Sequence, residues 1–382
     1  MALCPSLSPF FIIFRLPVPR RWTATLKGNI VKRKPVKKTR VGLIRCDTHG
    51  MWYGPLIQKH NPILLRESIS EDQEMNHSWQ RGGCWYYFYT HYCDPKRFTA
   101  ERVSGFELTK LWDRNRETAE IAAGIFYNKP HVCNTLDEVS EGVDLVFIAD
   151  CNGDGQDHLE LASPGLKKGV PTFIDKPFAY KISDARKLLK LAADAKAPLM
   201  SMSMMRTAPT VSRFRSRLAE TGGVNFGSVY GGSTNLAGLF HTISLTQAVF
   251  GSGIQSVQAM TGKNQTLVHL GYGDRKDRPA HGVTISCDVG ITFHCGLYVS
   301  AIGHRRKVDS HDIGDWENPF SAAEVLKRVR KMMRTGKSTE PIGEMVECVA
   351  VAQAYRESLK KGTAIQIPTL LRRSGAEEFI LK

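Results

Sequence analysis

The stretch Val143-Asp144-Leu145-Val146-Phe147-Ile148-Ala149-Asp150-Cys151-Asn152 decides the fold. Its apolar, β-branched run is nearly uninterrupted, as in a strand covered on both faces, and it breaks abruptly into polar residues. The same alternation recurs on either side. Upstream, Arg40-Val41-Gly42-Leu43-Ile44 is one short apolar run and Phe106 to Trp112 reads as the next strand, followed by the helix-forming Glu117 to Ala123. Downstream, residues 158 to 168 read as a helix that Pro164 should disturb, and Val170 to Asp175 reads as a strand. Ser183-Asp184 then caps a helix whose Ala185, Leu188, Leu189 and Ala192 share one face. Strand alternating with helix implies an α/β Rossmann domain, a doubly wound parallel sheet, over residues 39–180.

A sheet of this kind takes its ligand at the carboxyl ends of its strands. Those ends carry Arg45 to Gly50, Asp113 with Arg114, Asp150-Cys151-Asn152, and Asp175-Lys176-Pro177. A dinucleotide fingerprint, GxGxxG, uses glycines to make the tight turn and to let backbone approach a pyrophosphate at a helix N-terminus. The aligned stretch here is Arg45-Cys46-Asp47-Thr48-His49-Gly50, which keeps only the last glycine. Asp47 puts negative charge near phosphate, while Arg45 can offset it or contact a cofactor directly. Asp113, the candidate ribose-binding acid, follows Gly50 by 63 residues, where about 20 are expected. An insertion at about 55–104, holding Trp85-Tyr86-Tyr87-Phe88-Tyr89, accounts for the excess and is expected to cover the site mouth or touch a neighbouring subunit.

Beyond residue 196 the pattern changes. Met200 to Met205, Phe226 to Ser233, Ile254 to Met260, Thr266 to Tyr272, Val283 to Val289 and Ile291 to Ala301 are short strand-like runs without a helix between each pair. They predict an α+β domain over 181–370 with a large, mostly antiparallel open sheet, then a C-terminal tail at 371–382.

Composition agrees with two soluble domains: 382 residues exceed one growing core, and no apolar run approaches the roughly 20 residues of a membrane span. The net charge of +15 suggests an anionic partner, but residues 1–40 hold ten Lys/Arg and no acid. The remainder is close to balanced, so residues 1–38 read as a solvated, disordered tail rather than a nucleic-acid arm. Phe10 to Phe14 lack the preceding positive region of a signal peptide, and nine cysteines without tight pairs read as reduced thiols. Both favour the cytoplasm. No metal is expected. Asp150 to Gly155 imitates a calcium loop whose twelfth position is Leu161, and Cys84, His91 and Cys93 want a fourth ligand.

Thr172-Phe173-Ile174-Asp175-Lys176-Pro177-Phe178-Ala179 resembles the EKP segment of the glucose-fructose oxidoreductase/inositol dehydrogenase family, with Asp in place of Glu. Val143 to Asn152, His158, a helix ending at Gly169 and the C-terminal helix from Glu347 to Gly362 follow in that family's order, and the resemblance covers residues 39 to 368. It implies an NAD(P)-dependent dehydrogenase acting on CH–OH groups of a sugar, polyol or related compound, assembled as a homo-oligomer of dimeric or tetrameric type. NAD or NADP would be held by Arg45, Cys46, Asp47, Thr48, His49, Gly50, Asp113, Arg114, Asp150, Cys151, Asn152, His158, Asp175, Lys176 and Pro177. Arg114 could accommodate a 2′-phosphate, which leaves the choice of cofactor open. Lys176 would relay the substrate proton with His241 as helper, and Arg206 would join them on the substrate. The family's acids four residues before and three after that histidine are here Ala237 and Ser244. Their loss motivates a second reading, a catalytically impaired relative that still binds cofactor or sugar.

Overall fold

The computed structural model describes residues 37–67, 83–90, 97–151, 153–233, 236–262, 265–288 and 296–380. The basic tail up to residue 36, part of the insertion, Asn152, His91 and Cys93 lie outside them. Six parallel strands form the first sheet: β1 (Thr39–Ile44), β2 (Phe106–Trp112), β3 (His131–Val132), β4 (Leu145–Ile148), β5 (Thr172–Ile174) and β6 (Leu199–Ser201). Their spatial order is 3-2-1-4-5-6, so the order of the strands reverses between β1 and β4, where an open α/β sheet has its ligand crevice. All four residues of β4 are buried, as its run of apolar side chains requires of a strand covered on both faces.

Helices α1 (Thr48–Ile57), α2 (Arg116–Ile125), α3 (His158–Lys167) and α4 (Ile182–Asp194) connect these strands. Pro164 does not break α3: it removes one donor, opposite the carbonyl of exposed Glu160, and the helix continues for another turn. In α4 the buried face is Ile182, Ala185, Leu188 and Ala192. The sheet thus runs past residue 180, where the sequence reading ended the first domain. Leu199–Ser201 pairs parallel to β5 instead of opening the antiparallel sheet, and Met204–Thr207 forms a short 3-10 turn. The methionine run carries no periodicity to distinguish a last parallel strand from a first antiparallel one.

The second sheet has β7 (Val224–Ser233), β8 (Ser256–Thr261), β9 (Gln265–Gly271), β10 (Val283–Asp288), β11 (Leu297–Gly303), β12 (Lys307–Asp309) and β13 (Ile365–Gln366). It is antiparallel except where β10 runs parallel to β7. Helices α5 (Pro209–Arg217), α6 (Leu236–Phe250), α7 (Asn318–Thr335), α8 (Ile342–Lys361) and α9 (Ile367–Arg373) complete it. The expected tail from 371 is packed chain: Leu371 and Ala376 are buried and Phe379 lies against the core.

The insertion lies on α1. Trp52 meets Tyr87 and Phe88, and Phe88 stacks on Phe98 at 4.6 Å. Its far side reaches the second domain, where Tyr87 packs edge-on against Trp316 at 5.2 Å.

Helix α8 packs against β8, α6 and α4, and so joins the two halves. Buried Glu347 on α8 accepts from Gly253 N–H at 2.6 Å, Ile254 N–H at 3.0 Å and Gln247 Nε2 at 2.9 Å, fastening the turn after α6. Burial pushes its carboxyl from 4.5 up to about 7, against the pull of those donors. Because the folded state holds this proton more tightly than the unfolded chain, the group's contribution to stability is full below pH 4.5 and lost as pH rises to about 7. In urea unfolding, the stability of the wild type relative to Glu347→Gln should therefore fall by about 3 kcal/mol across that window.

Gly50 brings α1 against the end of β1, and a Cβ there would sit 2.7 Å from the Arg45 carbonyl oxygen. Gly→Ala inside a helix gains about 1 kcal/mol of propensity, but overpacking against backbone costs about 1–3 kcal/mol. Gly50→Ala should therefore lower the unfolding free energy, by up to about 2 kcal/mol in denaturant titration.

Candidate active site

The carboxyl ends of β1, β4 and β5 bring together most of the residues expected there. Lys176, one residue beyond β5 and its following Asp175, is 2% exposed. Its Nζ donates to the Cys151 carbonyl at 2.6 Å, and its backbone N–H donates to Asp175 Oδ1 at 2.8 Å. The other Asp175 oxygen meets His49 Nδ1 at 2.6 Å, which ties the start of α1 to the end of β5. The His49 ring centroid lies 6.0 Å from that of His241, which α6 supplies from the second domain.

His241 is buried. Burial lowers its pKa well below the usual histidine range, and nearby Lys176 and His49 lower it further, so the imidazole is neutral. Ala237 and Ser244, the two positions without acids, are themselves buried. Ser203, on the loop after β6, orients the ring instead, with Oγ 2.7 Å from His241 Nδ1. The sequence reading missed Ser203. Recognising Leu199–Ser201 as a sixth parallel strand would have marked the loop after it.

Lys176 lines a cavity with Ser203, Phe240, Ser244, Arg206 and Glu344, whose interior of about 20 Å³ has room for one or two waters. Arg206 is held in that wall by Glu344 at 2.7 Å and Gln247 at 2.6 Å, with Glu340 at 3.5 Å. Nothing in the sequence flagged these three partners, which come from α6, α8 and the turn before α8.

The rim between β1 and β4 has an altered chemistry. Arg45 adopts φ 70°, the left-handed conformation that the fingerprint gives to its first glycine. Asp47 stands where the second glycine would be and caps α1 by accepting the His49 N–H at 3.2 Å. Burial, Asp150 and Asp113 push its carboxyl well above the ordinary range, with Arg45 opposing. The Arg45 guanidinium pairs with Asp157 through Nη2, and its buried Nε has no partner among the described residues. Arg114, more than half exposed, reaches Asp157 at 3.6 Å and Glu160 at 3.3 Å.

Two expected cofactor ligands, Cys46 and His158, are turned inward, and half-buried Asp113 is partly taken up by backbone donors. Cys46 is buried, its Sγ toward the Trp112 carbonyl and its N–H donated to Asp113 at 2.7 Å. Asp113 also accepts from Asn115 N–H at 3.0 Å, which leaves its carboxylate partly committed to the loop. His158 is fully buried and supports Asp150 through Nε2 at 3.0 Å. Burial raises the Asp150 carboxyl, but the His158 hydrogen bond and charge, with Lys176 and Arg45, outweigh it and hold the group below the usual carboxylate range.

A dinucleotide is compatible with this rim. Gly50 keeps the close strand-to-helix approach of the fingerprint, and the orphaned Arg45 Nε is a donor available to an anion. Thr48 and Pro177 flank the same strand ends, although no described hydrogen bond marks a ligand role for either. Among the described residues no helix is long and apolar enough to cross a membrane.

Residues 91–203 match the sequence model of the oxidoreductase family with NAD-binding Rossmann fold, GFO/IDH/MocA, a match that ends at Ser203 in the loop after β6. A curated relative, the provisionally named oxidoreductase YceM of Salmonella typhimurium, is 30% identical over 116 residues, 30% of this chain. That match spans 36% of the relative's length. Solved structures share the fold along nearly the whole chain. The scyllo-inositol dehydrogenase of Lactobacillus casei, with NAD(H) and scyllo-inositol, aligns at TM-score 0.63 and 11% identity, covering 87% of this chain and 99% of its own. The myo-inositol 2-dehydrogenase of Lactobacillus plantarum gives 0.64 and 11%, covering 86% and 99%. GenD2 from gentamicin A biosynthesis, in complex with NAD, gives 0.62 and 17%, covering 87% and 97%. With a sheet whose strand order reverses between β1 and β4, ending in Asp175-Lys176-Pro177, and a second sheet bringing His241 to it, the chain shares the fold of these dehydrogenases, and its residues 91–203 match the family model of NAD-binding Rossmann-fold oxidoreductases, GFO/IDH/MocA.

Proposed function

We propose that this protein is an NAD(P)-dependent oxidoreductase that moves a hydride to or from a hydroxyl or carbonyl carbon of a sugar, polyol or related compound. The observation that carries this reading is Lys176: a lysine 2% exposed at a strand end, facing a cavity closed by second-domain residues. A bound nicotinamide cofactor would supply the hydride acceptor or donor, and the chain's own part is the proton. Cys151 takes one Nζ hydrogen, which leaves the rest of the amine to hold the substrate oxygen and exchange its proton. With Ser203 at Nδ1, His241 keeps Nε2 for that oxygen. The Asp175–His49 pair supports the same corner from β1's side.

The polyol class is supported by the inositol dehydrogenases that share the fold. A substrate of that size requires the Arg206–Glu344 wall or the joint between the domains to open, given a cavity of about 20 Å³. Exposed Tyr230 and Tyr298, paired across β7 and β11, with Ile302, support the pairing of copies through the second sheet.

Fluorescence titration should detect NAD or NADP binding, and absorbance assays over inositols and aldoses should detect turnover. Lys176→Met should keep cofactor affinity within about threefold and lower turnover by about 10²-fold or more. Absence of binding of either cofactor, or undiminished turnover in the variant, would end the proposal.

One observation favours the second reading, an impaired relative: Asp47 occupies the α1 N-terminal donor that a pyrophosphate would use. If the carboxyl opposes the cofactor there, Asp47→Gly should tighten NAD binding by about tenfold in calorimetry. Unchanged affinity would show that the pyrophosphate does not meet this group.

A further inference from the structure

Behind the Arg206–Glu344 wall lies a second cleft. It holds about 390 Å³ and is lined by Arg206, Arg215, Arg278 and Arg328 against two acids, Asp277 and Glu344. Through Asp277 and Arg278 it continues into a lobe of about 560 Å³ that adds Arg275 and Lys276. Such an excess of one sign inside a concave, partly desolvated space focuses a positive potential.

The local backbone is built to seat these cations. The turn after α6, Gly251-Ser252-Gly253, has both glycines at positive φ, 93° and 95°. A Cβ at Gly251 would lie 2.5 Å from Arg278 Nε, and one at Gly253 would lie 2.5 Å from Arg275 Nη1. The absent side chains are therefore the space the two guanidinium groups occupy. Arg278 is fixed by the Ser252 carbonyl at 2.8 Å and by Asp277 at 2.6 Å. Arg275 shares that same carboxylate, at 3.3 Å. One acid thus serves two arginines, and Arg278 Nη2 and Arg275 Nη1 have no hydrogen-bond partner among the described residues. Arg215 faces the first cleft with no ion pair among the described residues. Planar, donor-rich groups held side by side with unspent N–H suit the oxygens of a tetrahedral anion.

We propose that this arginine cleft binds a phosphate group, free or carried on a small metabolite. It shares Arg206, Gln247 and Glu344 with the Lys176 cavity, so a bound anion would compete with Glu344 for Arg206 and loosen the wall between the two spaces. The site stands independently of the hydride-transfer reading, because none of its phosphate-facing arginines touches the candidate cofactor rim.

Calorimetry of the full chain with inorganic phosphate at low ionic strength tests this, with glucose 6-phosphate as a second arm. Saturable one-to-one binding is expected. Tighter binding of the sugar phosphate would place its organic part in the larger lobe, and equal binding would assign the site to the free anion. Arg275→Met, and separately the exposed Arg215→Met, should each weaken phosphate binding by about tenfold while NAD titration and the thermal midpoint stay unchanged. Arg278→Lys, which keeps charge but loses the fork, should weaken it less. Weak, non-saturable heats, or affinity unchanged in both Met variants, would overturn the proposal and mark an adventitious ion only. Loss of NAD binding with phosphate binding intact would sink the oxidoreductase reading and leave the cleft standing.

Discussion

Enclosing the ammonium of Lys176 is the constraint on which the surrounding structure depends. A lysine taken from water costs several kcal/mol unless its hydrogens and its charge are met. Here the Cys151 carbonyl meets a hydrogen and the ionised Asp150 meets part of the charge. Asp150 must itself be kept ionised while buried, which explains why His158 is fully enclosed behind it. A histidine that looks like a cofactor ligand in the sequence is thus a support two steps removed from the reacting atoms. The same logic ties His49 to Asp175, so that the ends of β1, β4 and β5 are joined through polar contacts rather than apolar packing.

The second domain contributes by closing this corner. His241 arrives on α6, and its ring is oriented by Ser203, which belongs to the loop leaving the last parallel strand. A neutral imidazole held by a hydroxyl differs from one held by a carboxylate: the hydroxyl fixes direction without raising basicity. In the proposed reaction the proton chemistry would therefore lean on Lys176, with His241 as a positioning and relay group. Helix α8 keeps the two halves in register. Gln353 accepts from the N–H of Ile182 at 3.1 Å, and Arg356 lies 3.9 Å over the Tyr180 ring while donating to its carbonyl at 2.6 Å.

Much of this was legible in the sequence, and the exceptions have physical reasons. Buried parallel strands advertise themselves as apolar runs, so β1, β4 and β5 and the polar residues at their ends could be read directly, and β2, half-buried, by the strand-to-helix alternation around it. Periodicity fails for three-residue strands, and β6 was assigned to the wrong sheet for that reason, which hid Ser203 as well. Direction of a side chain at a strand end is also invisible: Cys46 and His158 occupy the expected places yet point into the core. The arginine cleft escaped notice because its cations come from α5, α7, the turn before α5 and the loop between β9 and β10. No local spacing connects them.

The departures in the phosphate loop follow from one exchange of charge. A glycine-rich loop presents bare backbone donors and the positive end of a helix, and it needs no side chain. Here Asp47 uses one of those donors itself and cancels part of the helix end, so the loop alone repels what it should attract. Arg45 restores a cation at the same rim, but from a left-handed residue that a non-glycine adopts at a cost of order 1–2 kcal/mol. Holding it there requires Asp157 on one side and the field of Asp113, Asp47 and Asp150 on the other. The acid and the base therefore compensate one another only in part: removing Arg45 would leave several carboxylates facing one another, and removing Asp47 would leave a free helix end beside a guanidinium that Asp157 still pairs. Under the proposed cofactor reading, anion recognition at this rim passes from the backbone, where only geometry matters, to side chains, where it becomes dependent on protonation and salt.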